Sequence, residues 1–364
     1  MRRWLGRSVL GAVAVVVLLI GGLWVEHSLP IELPRPSGPW PVGRASRTVG
    51  ADVTAWIWYP AAHSQFVAPY LPESIRTAWQ RNRPGVINFL TRDLAKVRAH
   101  GVFDAPFKTE AAPAPVLLFR GGGSGGVLGH TALFEELASR GYAVIALEGG
   151  NTLNPETCAG RVDEDTCAGT LLDGAVAVMT SAIDRLSATA SRDPLLGGHL
   201  DWRAVGVFGH SFGGAQALAF CAADPRCSAG VNIDGRIFAS LTRTAVTVPF
   251  LWLLSDHRSD QDAESRQILA QIQSVYERQP ADSRARIVIR GAHHVTFSED
   301  GALLKSGALR GILRLRGALG IDGRRQVEAT SYAVRSFFDA SLKHTGSAQV
   351  VLASPSYPEI ILVP

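Results

Sequence analysis

The feature that most constrains this chain is the pentapeptide Gly209-His210-Ser211-Phe212-Gly213. An apolar run, 204–208, leads into it, and small, helix-forming residues follow over 212–222. That context predicts a strand, a sharp turn and a helix, with the serine at the turn. Glycines must flank such a serine, because side chains there would clash and hide the hydroxyl. The helix N-terminus then sits beside the serine, where its dipole favours developing negative charge.

The rest of the rhythm fits the same architecture. Short apolar runs at 53–59, 116–119, 142–147, 229–233, 248–254 and 286–289 read as strands, the last of these closing the series. Helical patterns at 131–140, 171–186, 265–277 and 332–342 alternate with them. That alternation predicts a mostly parallel sheet covered by helices on both faces. At 364 residues and 46% apolar, one large domain with insertions is expected, over residues 46–364, with insertions near 61–112 and 296–325, the second of them irregular.

A serine nucleophile needs a base, and the base needs an orienting acid, in the chain order serine, acid, histidine for this type of turn. This pattern predicts the α/β-hydrolase fold. His293 and His294 directly follow the last run, 286–289, where the base belongs. His257 and His344 lie elsewhere, and His210 adjoins the serine itself. Position alone does not separate His293 from His294. The acid is a choice between Asp234, after the run 229–233, and Asp256, after the run 248–254. Both sit where the C-terminal edge of the sheet gathers ligands. The oxyanion hole needs two backbone donors. One is the amide of Phe212. The other belongs to the turn Gly121-Gly122-Gly123-Ser124. No Gly-Lys-Ser/Thr follows that turn, which argues against a phosphate loop. A fold that keeps these residues but only binds is the competing class.

The N-terminus carries an export signal. Arg2, Arg3 and Arg7 precede 17 uncharged residues, 9–25, with no small-x-small cleavage site after them. Residues 1–25 read as an uncleaved signal anchor in preference to a cleaved signal peptide, with the chain beyond outside the cytoplasm. The surroundings of the paired arginines fit a twin-arginine signal poorly. Residues 26–45, with five prolines, read as an extended linker. The four cysteines fall as two close pairs, Cys158/Cys167 and Cys221/Cys227. Export favours local disulfides over a zinc site, whose usual two-residue spacing is missing. The net charge of +4 comes from scattered arginines, with only four lysines, which argues against a nucleic-acid partner. No metal or cofactor is expected.

With these residues in hand, the chain resembles the plasma-type platelet-activating-factor acetylhydrolase family. The resemblance rests on Trp58-Tyr59-Pro60, Ala68-Pro69-Tyr70-Leu71-Pro72, Ala105-Pro106, Glu136-Leu137-Ala138-Ser139-Arg140-Gly141-Tyr142 and Gly209 to Gly214. It continues through Asn232-Ile233-Asp234-Gly235, His294-Val295-Thr296-Phe297-Ser298 and Phe337-Phe338-Asp339. It implies Ser211 as nucleophile, Asp234 as acid, His294 as base and Gly123 as the second oxyanion donor. It also implies metal-free cleavage of short or oxidised acyl chains from phospholipids and related esters, so a lipid or small ester is the expected substrate. Two departures stand out. The family's turn reads Ser-His-Gly where this chain has Arg120-Gly121-Gly122, and residues 307–325 have no evident counterpart.

Overall fold

The structure is a computed structural model. It describes all residues except 1, 63–66, 83–84, 92, 124–125, 151–157, 159–162, 194, 258–261, 305–306, 318, 347–351 and 364. In chain order the strands are β1 (Ile31–Glu32), β2 (Val42–Thr48), β3 (Val53–Pro60), β4 (Val67–Pro69), β5 (Val97–Phe103) and β6 (Ala114–Arg120). They continue with β7 (Ala143–Gly149), β8 (Leu200–His210), β9 (Cys227–Ile233), β10 (Phe250–Leu254), β11 (Arg284–Ile289) and β12 (Ile360–Leu362). The helices are α1 (Arg2–Ser28), α2 (Glu73–Asn82), α3 (Gly85–Leu90), α4 (Thr131–Ser139), α5 (Glu164–Ala190), α6 (Phe212–Ala223), α7 (Ala263–Arg278), α8 (Asp300–Leu303), α9 (Gly307–Leu315) and α10 (Gly323–Leu342).

All strands join one sheet, in the order β1-β5-β2-β3-β7-β6-β8-β9-β10-β11-β12, with β4 on β5. From β7 to β11 every pairing is parallel; β3 and β12 close that block antiparallel. The central strands read as unbroken apolar runs because both faces are covered. Leu117 and Phe119 of β6 pack with Phe134 of α4 and Phe338 of α10. Val116 and Leu118, pointing the other way, pack with Met179 and Ile183 of α5.

Three sequence expectations differ from the structure. Of the expected linker 26–45, residues 26–28 end α1 and the prolines keep the rest without helix, but it is docked, not free. Glu136 of α4 accepts from the Ser37 amide at 2.6 Å and the Ser37 hydroxyl at 2.7 Å, β1 pairs with β5, and β2 lines the core. The strand expected to be the last, 286–289, is followed by β12, added by the returning C-terminal tail. The segment 296–325, expected to be irregular, carries α8 and α9. Cys158–Cys167 and Cys221–Cys227 pair as expected. Residues Val9–Ser28 of α1 are long and apolar enough to cross a membrane, with mean hydropathy 2.4, and their valines and leucines are exposed, apart from the half-buried Leu23. An exposed apolar N-terminal helix together with two disulfides marks an exported protein.

Candidate active site

Strand β8 enters the turn at His210, and Ser211 takes φ +57° and ψ −127° before α6 starts. The flanking glycines are forced. A Cβ on Gly209 would lie 2.1 Å from the Gly213 carbonyl oxygen, and one on Gly213 2.1 Å from the Arg120 carbonyl oxygen. The Ser211 amide donates to Ile233 O at 2.9 Å, so the turn is held by the end of β9.

The structure brings three of the expected residues into one relay. The Ser211 hydroxyl lies 3.0 Å from His294 Nε2, and His294 Nδ1 lies 2.8 Å from Asp234 Oδ2. A carboxylate accepts only, so Nδ1 carries the proton and Nε2 is left to accept from the serine. Burial alone would raise the Asp234 pKa. Contacts with His257, His294 and the Ser255 amide outweigh it and hold the carboxyl below its usual range. Asp234 sits at φ +53°, directly after β9.

The other candidates fall nearby in different settings. Asp256 accepts from the Gly291 amide at 2.8 Å and donates its own amide to Ala292 O at 2.9 Å, tying down the loop that leads to His294. His293 caps the short helical turn His294–Phe297 through Thr296. His344 lies beyond the end of α10, outside this relay. Gly123 is exposed at φ +46° with open space around its Cα. Its neighbour Gly122 is the residue pressed on the nucleophile, and the Gly122–Gly123 peptide starts from that contact. Ser124 lies outside the described residues.

A Cβ on Gly122 would stand 2.4 Å from Ser211 Cβ and 2.7 Å from His210 O. The backbone would have to shift by tenths of an ångström or more beside the reacting atoms. Gly122→Ala is therefore expected to lower kcat on the order of 10²-fold, while Gly123→Ala, whose methyl meets nothing within 4 Å but strains a backbone at φ +46°, is expected to cost less, about tenfold. Steady-state kinetics of the two variants on p-nitrophenyl acetate checks both.

Two histidines that the sequence set aside as bases touch the relay. His257 Nε2 lies 3.5 Å from Asp234 Oδ1, so two imidazoles flank one carboxylate. The adjacency of the β9 and β10 ends carries that signal. His210 Nε2 donates to the His294 carbonyl at 3.0 Å, linking the residue before the nucleophile to the base. Its ring stands 5.3 Å from that of His130 and 5.0 Å from that of His294. Burial keeps both of these histidines neutral, with pKa values of about 4 for His130 and about 3 for His210. Glu299, on the same loop as His294, is pushed up to about 8 by burial and holds Tyr70 and the Ala132 amide.

The buried histidine has a consequence for stability. A folded pKa below the unfolded value of about 6.5 means the unfolded chain binds more protons. The native state then loses about 1.4 kcal/mol per pH unit, per such group, as pH falls from about 6.5 toward 4. Glu299 acts in the opposite sense, so the comparison must isolate one group. His130 stacks among Phe119 and Phe134, and His130→Phe keeps that packing. Its stability relative to wild type is expected to rise by about 2 kcal/mol between roughly pH 7.5 and pH 5, read from urea melts at both.

A mostly parallel sheet, helices on both faces and a strained serine at a strand-to-helix turn define the α/β-hydrolase fold. The model of the family described as platelet-activating factor acetylhydrolase, isoform II, matches residues 194–348. That segment contains Ser211, Asp234 and His294, so the resemblance seen in short motifs is borne out where the relay lies. A probable 1-alkyl-2-acetylglycerophosphocholine esterase of Arthroderma benhamiae is 24% identical over 270 residues, covering 68% of this chain and 66% of that protein. The chain thus spans just under two thirds of this relative. A ferulic acid esterase from Streptomyces cinnamoneus shares the fold with a TM-score of 0.72 and 24% identity, over 92% of this chain and 99% of that one.

Proposed function

We propose that this chain is an exported serine carboxylic-ester hydrolase that works through an acyl-enzyme on short-chain acyl esters, the sn-2 acyl group of a glycerophospholipid among them. The observation that carries the reading is the hydrogen-bonded relay Ser211–His294–Asp234. Ser211 attacks the ester carbonyl as His294 Nε2 takes its proton, and Asp234 stabilises the imidazolium. The amides of Phe212 and Gly123 receive the developing oxyanion. His294 then protonates the departing alcohol. In the second half it activates water to release the acid and free the serine. No metal is needed.

The match to the acetylhydrolase family and the name of the fungal relative support the choice of acyl phospholipid. The exposed α1 supports attachment to a membrane, with the catalytic domain, residues 46–364, on the outer side. A chain-length series of p-nitrophenyl esters, run beside an acetylated phosphatidylcholine analogue, tests the substrate. Release of acetate from the phospholipid, with rates falling as the acyl chain lengthens, is expected. Hydrolysis of the nitrophenyl esters alone would leave a general or polyester-directed carboxylesterase.

A further inference from the structure

Arg120 is the residue that breaks the resemblance, and its surroundings are unusual. It ends β6 and is almost fully buried. Its Nε donates to Gln216 Oε1 of α6 at 2.8 Å. Its Nη1 donates to Leu147 O at 3.0 Å and to Gly149 O at 3.2 Å, at the end of β7. No carboxylate lies within ion-pair distance of it among the described residues. Burying a guanidinium without a counter-charge is costly, and an apolar side chain would serve the core better.

The segment that follows explains why the cost is borne. Five of the six residues 121–126 are glycine. Such a loop has almost no side chains with which to fix itself and many conformations to lose. Yet Gly122 is pressed against Ser211, and the Arg120 carbonyl lies where a Gly213 Cβ would be. The loop must therefore hold its place to tenths of an ångström at the reacting carbon.

We propose that Arg120 is a positioning residue for the oxyanion hole: its buried fork staples the glycine loop to α6 and to the end of β7. The inference rests on the ester-hydrolase reading above. It assigns the loop's rigidity to a side chain outside the loop. A planar guanidinium suits this, because its donors sit on separate nitrogens in one rigid plane and reach Gln216 on one side and the two carbonyls on the other, whereas an ammonium carries its three donors on a single atom at the end of a flexible stem. It adds no new atom to the reaction. Its effect is on how well the Gly123 amide meets an oxyanion, so it belongs to the transition state and not to substrate binding.

The test is kinetic, on full-length protein in detergent. Arg120→Met, shown folded by its melting curve, is expected to lower kcat 10- to 100-fold on p-nitrophenyl acetate, with KM within about threefold of wild type. A trifluoromethyl ketone, which forms a tetrahedral oxyanion adduct on the serine, should lose affinity by the same factor. A variant that is merely less folded would lose active sites without changing that inhibition constant. Arg120→Lys keeps the charge but not the fork, and should resemble Arg120→Met. Gln216→Leu removes one arm of the staple and gives a smaller fall in both quantities, which covers the case in which Arg120→Met does not fold. Wild-type kcat in folded Arg120→Met, full rescue by lysine, an unchanged inhibition constant, or a silent Gln216→Leu each overturn the proposal. A wild-type protein that hydrolyses no ester would instead overturn the reading of the activity.

Discussion

Ser211→Ala is expected to lower kcat on p-nitrophenyl acetate by 10⁴- to 10⁶-fold, leaving the small residual rate that binding and the oxyanion donors alone provide. The expectation follows from the relay, in which the Ser211 hydroxyl lies 3.0 Å from His294 Nε2, the nitrogen that accepts its proton. A fluorophosphonate probe should label the wild type and not the variant. Failure to label folded wild-type protein would favour a binding module on this fold. The same position makes a second, opposite prediction for stability. Ser211 sits at φ +57°, a conformation that costs a side-chain-bearing residue about 1–3 kcal/mol. Alanine keeps that strain and glycine removes it, at an entropic cost of about 0.5–1 kcal/mol. Ser211→Gly should therefore be as inactive as Ser211→Ala but more stable than it by about 1 kcal/mol. A stability order with alanine above glycine would mean that the turn holds no strain.

What the sequence revealed, and what it hid, divides along physical lines. Strands β6 to β10 are legible because their central residues are buried on both faces, so apolar residues dominate them, and β11 is legible by its alternation of buried and half-buried residues. The turn at Ser211 is legible because steric demand leaves glycine no alternative at 209 and 213. The edge strands are not. β1, β4 and β12 are two or three residues long, and β1 pairs with a strand 66 positions away. Nothing local marks such a segment. The docked residues 31–45 look like a linker by composition, and what fixes them lies far along the chain: the Glu136 carboxylate and strand β5. In the site, chain order placed the serine and narrowed the base to adjacent histidines. Separating His293 from His294 needed either the resemblance or the fold. The contacts of His257 and His210, whose partners are 23 and 84 residues away, needed the fold. Arg120 was visible as a departure, but its meaning depends on what it touches.

The acid is the position at which two residues with equal claims by sequence are separated most sharply by geometry. Asp234→Asn is expected to lower kcat by about 10⁴-fold while leaving the fold intact. An amide facing His294 Nδ1 can present its NH₂, which forces the proton onto Nε2 and leaves no lone pair to accept from Ser211. It also takes away the negative charge that stabilises the imidazolium. The loss belongs to kcat, because the ester binds above the serine and not against Asp234, which is buried. Asp256→Asn should differ by orders of magnitude. Asp256 meets the backbone of Gly291 and Ala292, and asparagine keeps an oxygen to accept from the Gly291 amide. A fall of less than about tenfold is expected, from slight loosening of the loop that carries His294. His257, 3.5 Å from the other Asp234 oxygen, gives the experiment a control. Without the carboxylate it has no charge to meet, so His257→Gln should lower the activity of wild type more than that of Asp234→Asn. The reverse order, with Asp256→Asn inert and Asp234→Asn active, would move the acid to the end of β10 and dissolve the relay as drawn.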